Sequence, residues 1–244
     1  MKLHIHKDPN ELSLAVAGWM ADYITSTLEK KGRFILALSG GSTPKILHTI
    51  LAGSPFKEKI DWPGLHIFWG DERAVPFEDE RNNARMAYDT LLNHVPVPEN
   101  QVHVMRTDIE PDKAAEEYDQ LLHRYFDGSE VTFDLVLLGM GDDGHTLSLF
   151  PGTEIVHEQH AWVKSFYLDA QQMYRISLTA PVVNKANAVL FLTGGANKAH
   201  TLKQVLEGPF QPSLYPSQMI SPQSGELHWF IDEPAAAELD GARS

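Results

Sequence analysis

His145 sits two residues after Asp143 in the run Phe133-Asp-Leu-Val-Leu-Leu-Gly-Met-Gly-Asp-Asp-Gly-His-Thr146. Histidine is the side chain whose ordinary pKa lies nearest neutrality, so it is the natural acceptor or donor of a proton in a reaction at pH 7. A carboxylate two residues away is close enough to orient and polarise the ring. Read alone, His145 is either a catalytic base steadied by Asp143 or a structural histidine. A second constellation, Ser39-Gly-Gly-Ser-Thr-Pro44, holds Gly40 and Gly41, which let backbone N–H groups approach a ligand, and the hydroxyls of Ser42 and Thr43. Pro44 suits the start of a helix, whose N-terminus attracts an anion. The same residues also make an ordinary strand-to-helix turn. No lysine occupies the Walker position, so the loop is not a nucleotide P-loop. Arg73, in Asp71-Glu-Arg73, and Lys198, in Gly194-Gly-Ala-Asn-Lys198, are the cations beside such loops. Each reads either as an anion ligand or as a paired or solvated surface charge. Lys198 in a first helical turn opposes the helix dipole, which makes better sense if it serves an anion.

The elements that must position these groups follow from hydrophobic periodicity. Asp8-Pro9-Asn10-Glu11 reads as a helix start with Asp8 at the N-cap, and Gly32 as its end. Short apolar runs at Phe34–Leu38, Leu65–Trp69, Leu135–Leu138 and Ala188–Thr193 read as buried strands, each ending in one of the polar loops. Val102–Met105, Val163–Phe166, Arg175–Thr179 and His228–Ile231 are further strand candidates. Helices are expected over 44–51, 82–94, 111–126 and 197–206, a loop over 209–225, and an exposed or frayed helix over the tail 234–244. Strands alternating with helices predict an α/β fold with a largely parallel sheet, and such sheets keep their sites at the strands' C-terminal edge. One domain spanning residues 1–244 is expected, with a small subregion around 145–185.

Composition narrows the function further. The 43% hydrophobic content supports a folded core. There is no cysteine, hence no disulfide framework, thiolate metal site or thiol nucleophile. The net charge of -13 argues against nucleic acid and anionic membranes as partners, and requires local cations for any anionic substrate. No signal-length apolar core follows Met1–His6 and no apolar run approaches ~20 residues, so the chain reads as cytoplasmic. Gly139-Met-Gly-Asp-Asp-Gly144 matches the dinucleotide pattern, but Asp142 and Asp143 would stand where a pyrophosphate belongs. His157 and His160 are three apart rather than four, and His4 and His6 lack a third ligand, so no metal site is expected. No G-x-S-x-G elbow is present, which leaves water activated by a base as the route for any hydrolysis.

Taken together and in order, Ser39-Gly-Gly-Ser-Thr-Pro44, Trp69-Gly-Asp-Glu-Arg73, Asn82-Asn-Ala-Arg-Met86, Gly139-Met-Gly-Asp-Asp-Gly-His-Thr146 with Ser148-Leu-Phe-Pro-Gly152, Arg175-Ile-Ser-Leu-Thr179 and Gly194-Gly-Ala-Asn-Lys198 resemble the 6-phosphogluconolactonase family. That family lies within a wider group containing glucosamine-6-phosphate deaminase and ribose-5-phosphate isomerase. The resemblance runs from about residue 8 to Asp232. It implies a Rossmann-like three-layer fold and hydrolysis of 6-phospho-D-glucono-1,5-lactone without a metal or organic cofactor. It also implies that His145 is the general base with Asp143 beside it. Arg73, Arg175 and Lys198, together with Ser39, Gly40, Gly41, Ser42, Thr43 and Gly144, are implied to hold the phosphosugar. Leu147 stands where the family usually carries a small residue, and Asp169-Ala-Gln-Gln-Met-Tyr174 where it commonly has a proline-rich run. Deaminases of the group usually have Tyr after Asp-Glu and Asn-Glu-Pro after the Gly-His loop. Arg73 and Ser148-Leu-Phe-Pro151 occupy those places here. A non-catalytic sugar-phosphate sensor is the rival of a different class, but it would normally carry a DNA-binding segment.

Overall fold

The computed structural model describes residues 1–240. In chain order its elements are β1 (Lys2–His6), α1 (Pro9–Lys31), β2 (Phe34–Leu38), α2 (Ser42–Leu51), α3 (Phe56–Lys59), β3 (Leu65–Trp69), β4 (Asp71–Arg73), α4 (Asn83–Thr90), α5 (Pro111–Tyr125), β5 (Leu135–Leu138), β6 (Val163–Leu168), β7 (Met173–Leu178), α6 (Ala180–Val183), β8 (Ala188–Thr193), α7 (Ala199–Glu207), β9 (Glu226–Asp232) and α8 (Glu233–Ala236). Six strands form one parallel sheet in the order β1-β9-β8-β5-β2-β3, and β4-β7-β6 form a separate antiparallel sheet. The chain runs outward from β2 to β3 on one side, and from β5 through β8 to β9 on the other. Its direction therefore reverses between β2 and β5, whose C-terminal ends carry the Ser39–Pro44 and Gly139–Thr146 loops. Open α/β sheets form a crevice at such a reversal.

Buried strands explain why the sheet is covered on both faces. Phe34, Leu36 and Leu38 of β2 pack with α1, α2 and α4, while Ile35 and Ala37 join α5, α7 and β7 on the other face. This is the three-layer α/β arrangement expected from the sequence. The antiparallel sheet falls largely in the 145–185 subregion and packs β6 and β7 against α5. No helix among the described residues is long and apolar enough to cross a membrane.

Local signals set most boundaries. Asp8 Oδ1 accepts hydrogen bonds from Asn10 N and Glu11 N at 2.9 and 3.0 Å, as an N-cap should. The Glu11 carboxylate reaches back one residue further than a capping box requires, accepting from Lys7 N at 2.7 Å. Three expectations are corrected, and one strand is added. Lys2–His6 is a strand paired in parallel with β9. The helix expected over 82–94 stops at Thr90, because Leu91 leaves helical geometry and a single 3₁₀ turn follows. Val102–Met105 gives only one bridge, Ile67 to Val102. The tail is packed rather than exposed as far as Leu239, which is buried with Ala235 and Ala236. Residues 241–244 lie outside the described residues.

His48 on α2 is fully buried, with Thr90 Oγ1 3.3 Å from Nδ1 and no partner on Nε2. Burial lowers its pKa to about 4. In the pH window from 6.5 down to 4 the unfolded chain takes up a proton that the native state refuses. Stability should fall across that window by about 3 kcal/mol and should be unaffected by this group above it. Denaturant unfolding of the wild type and His48→Leu at several pH values checks this: the variant should lack that part of the acid sensitivity.

Candidate active site

The loop after β2 opens α2 with Gly41 as the N-cap residue, so no side chain fills the helix's first N–H groups. Ser42 and Thr43 form the first turn of α2, two positions before the Pro44 start expected from the sequence. The loop is therefore a helix N-terminus with open donors and two hydroxyls, a good seat for an anion.

Arg73 and Arg175 face each other in the β4–β7 ladder. Like charges directly opposite on paired strands are destabilising unless something of opposite charge lies between them. Arg175 is 4% exposed. Its Nη1 is 3.6 Å from Asp71 Oδ2, its Nη2 donates to Gln171 Oε1, and its guanidinium lies over the Phe150 ring at 5.5 Å. Burial pulls the Arg175 pKa below the usual arginine value; Asp71 opposes this and Arg73 adds to it. Arg73 makes no ion pair with any described residue despite its two acidic neighbours; its Nη1 donates to the Arg81 carbonyl at 2.8 Å. The neighbouring acids have other tasks. Asp71 accepts from Ser148 Oγ at 2.7 Å, and Glu72 accepts from Arg73 N, Asn83 N and Ala84 N, tying β4 to the start of α4. Burial pushes the Glu72 carboxyl up to about 7 against the pull of those three N–H groups. The Nε atoms of both arginines are buried without a partner.

His145 Nδ1 lies 2.5 Å from Asp143 Oδ1, and its backbone N–H donates to the same oxygen at 3.0 Å. A carboxylate accepts, so Nδ1 carries the proton and the neutral ring keeps its lone pair on Nε2. Phe150 stacks on the ring at 4.1 Å. Partial burial would raise the Asp143 pKa, but the hydrogen bond and charge of His145 hold it below the usual value. Gly141 makes room for this geometry, because a Cβ there would fall 2.0 Å from His145 Nδ1. Gly141→Ala should therefore displace the ring. A misplacement of about 1 Å typically costs about 10²-fold in rate. Steady-state kinetics should show that loss in kcat while the unfolding transition stays close to wild type.

Ser39, Gly40, Gly41, Ser42, Thr43, Arg73, His145, Arg175 and Lys198 line one cavity of about 420 Å³. Asp143 stands behind His145. Gly144 is outside the cavity wall, where its carbonyl accepts from Ser217 N and Oγ at 3.0 and 2.8 Å. Lys198 precedes α7 as its N-cap residue rather than lying inside it, and its ammonium pairs with Asp142, which also accepts from Asn197 Nδ2. Asp142, read from sequence only as an obstacle to a pyrophosphate, thus holds a cation; Lys198 draws its pKa down. Leu147 does line the wall, with φ of 54°. A leucine in the left-handed region costs roughly 1–2 kcal/mol, so the surrounding packing holds it there. The 169–174 segment forms a 3₁₀ turn whose Gln171 anchors Arg175. Asp71, Asn83, Gly139, Gly141 and Gln171 also line the cavity. Asn83 lay inside a quoted motif and Asp71 beside Arg73, but the signals that would have singled them out are contacts across the chain.

A family model described as glucosamine-6-phosphate isomerases/6-phosphogluconolactonase matches residues 7–229. A 6-phosphogluconolactonase of Synechocystis sp. is 39% identical over 220 residues, covering 88% of this chain and 89% of that protein. One from Nostoc sp. is 40% identical over the same shares of the two chains. The solved 6-phosphogluconolactonase from Trypanosoma cruzi superposes with a TM-score of 0.84 at 27% identity, covering 98% of this chain and 97% of that one. With its fold, its loop order and the extent of these matches in agreement, the chain belongs to the glucosamine-6-phosphate isomerase/6-phosphogluconolactonase family.

Proposed function

We propose that the chain hydrolyses 6-phospho-D-glucono-1,5-lactone to 6-phospho-D-gluconate, the second step of the oxidative pentose phosphate pathway, using water activated by His145. One observation carries the reading: a histidine with a free Nε2, backed by Asp143, shares a cavity with two arginines paired across a ladder. Arg73, Arg175 and Lys198 take the phosphate together with the N-terminus of α2, and so fix the ring from a distance. A lactone is an activated ester, so no covalent nucleophile is needed. As water oxygen bonds to C1, its proton passes to Nε2. When the C1–ring oxygen bond breaks, the imidazolium returns that proton to the departing alkoxide. Asp143 keeps Nδ1 protonated throughout and stabilises the transient positive ring. Gly144 contributes by shaping the turn that carries His145.

The whole chain acts as one domain, in the cytoplasm, on a small phosphosugar and without nucleic acid. The net charge of -13 supports the last point. Against the deaminase stands the absence of its Tyr and Asn-Glu-Pro segments, whose places Arg73 and Ser148–Pro151 fill. The test is a spectrophotometric assay coupling lactone hydrolysis to 6-phosphogluconate dehydrogenase, corrected for spontaneous hydrolysis, beside an ammonia assay with glucosamine 6-phosphate. Acceleration of the first and no ammonia in the second is expected. Ammonia release without lactone hydrolysis would replace this reading with the deaminase; binding without either reaction would replace it with the sensor.

A further inference from the structure

Asn83, the first residue of α4, is 2% exposed yet lines the cavity. Its surroundings fix it almost completely. The backbone N–H donates to Glu72 Oε1 at 2.7 Å, and Nδ2 donates to the Asp71 carbonyl at 2.9 Å. A carbonyl can only accept, so the amide has one chemically permitted orientation, with Oδ1 turned away from Asp71. That oxygen accepts from no described residue and is not among the buried unpartnered atoms, so it remains open to the cavity. It lies over the loop after β2: a Cβ on Gly40 would sit 1.8 Å from Asn83 Oδ1 and 2.3 Å from Cγ. Gly40 has no left-handed φ. Its backbone would accept a side chain, and what excludes one is the Asn83 amide.

The rest of this wall is rich in donors: two arginines, a lysine, four hydroxyls and open N–H groups, while the Asp71 carboxylate is engaged by Ser148 and Arg175. A polyhydroxylated ring brings donors of its own and needs acceptors. We propose that Asn83 is a substrate-recognition residue whose Oδ1, seated over Gly40 and locked by the Asp71 carbonyl, accepts a hydrogen bond from a ring hydroxyl of the phosphosugar. This assignment rests on the phosphosugar-lactone reading. A site built to bond a hydroxyl discriminates strongly against the analogue that lacks it, because its own buried acceptor is then left unpaired. Gly40 belongs to the same device, as the space that Asn83 occupies.

The test compares wild type, Asn83→Ala, Gly40→Ala and the double variant on 6-phosphogluconolactone and on its 2-, 3- and 4-deoxy analogues. Asn83→Ala should lose roughly 5- to 100-fold in kcat/KM on the parent lactone, the cost of leaving a buried hydroxyl without its acceptor. It should lose almost nothing on one deoxy analogue, the one missing the hydroxyl that Asn83 reads. Gly40→Ala should reproduce the loss by displacing the amide, and should add under about 2-fold once Asn83 is alanine, as coupled neighbours do. In thermal unfolding, with no substrate present, Gly40→Ala should lower the midpoint in the wild-type background and not in Asn83→Ala. Equal losses on all four lactones, or additive losses from Gly40→Ala and Asn83→Ala, overturn the assignment while leaving the lactonase reading intact. A wild type that hydrolyses none of the lactones overturns the lactone reading and this assignment with it.

Discussion

Replacing His145 by alanine should lower kcat for lactone hydrolysis by about 10²–10⁴-fold, the usual contribution of a positioned general base. KM should change little, because in the proposed mode of binding the cations and the Ser39–Thr43 loop, not the imidazole, take the phosphate. The geometry makes the kcat effect specific. Asp143 fixes the tautomer through Nδ1, Phe150 fixes the ring plane, and Nε2 is left as the only lone pair of the ring facing the reaction. Loss of the ring removes an interaction used when water is deprotonated, and such losses appear in kcat rather than in ground-state binding. Steady-state kinetics on purified protein, with unfolding curves to show an intact fold, check this. An unchanged kcat would remove His145 from the mechanism.

Arg73→Ala should do the opposite, raising KM about 10- to 100-fold with kcat nearly constant, as expected for a charged hydrogen bond worth about 1.5–3 kcal/mol in both ground and transition states. Arg73 has no ion pair among the described residues to lose, so stability should hold. Arg175→Ala should raise KM similarly and also destabilise the protein by about 3 kcal/mol, because removing one member of a buried pair strands the other, here Asp71. The contrast between two arginines opposite each other in one ladder is the informative part. Steady-state kinetics and denaturant curves for the two variants measure it. If neither changes KM, the phosphate is not held there.

The sheet was legible because its inner strands are continuous apolar runs, and the strand-end loops because glycine, proline and acids interrupt those runs abruptly. Where the pattern was weak, the reading failed. β1 alternates histidines with half-exposed Leu3 and Ile5 and is a strand because β9 pairs with it. β4 spans only Asp71–Arg73, too short to show a period, and exists through its ladder with β7. The chemistry divides in the same way. Asp143 and His145 are neighbours in sequence, so their pairing could be foreseen. Lys198 meets Asp142, Arg175 meets Asp71, and Asn83 covers Gly40 across long stretches of chain. Residue types alone do not specify such partners. They follow from the reversal between β2 and β5 and from the antiparallel ladder that brings Arg73 to Arg175.

The central claim is that His145 drives hydrolysis of a lactone bound by its phosphate. The most direct measurement is a single-turnover reaction with enzyme in excess, following lactone and acid by ³¹P NMR for the wild type and His145→Ala, both saturated. The wild type should convert the bound lactone far faster than buffer does, and the variant should convert it at close to the spontaneous rate. A wild type no faster than buffer, or a variant as fast as the wild type, would contradict the account.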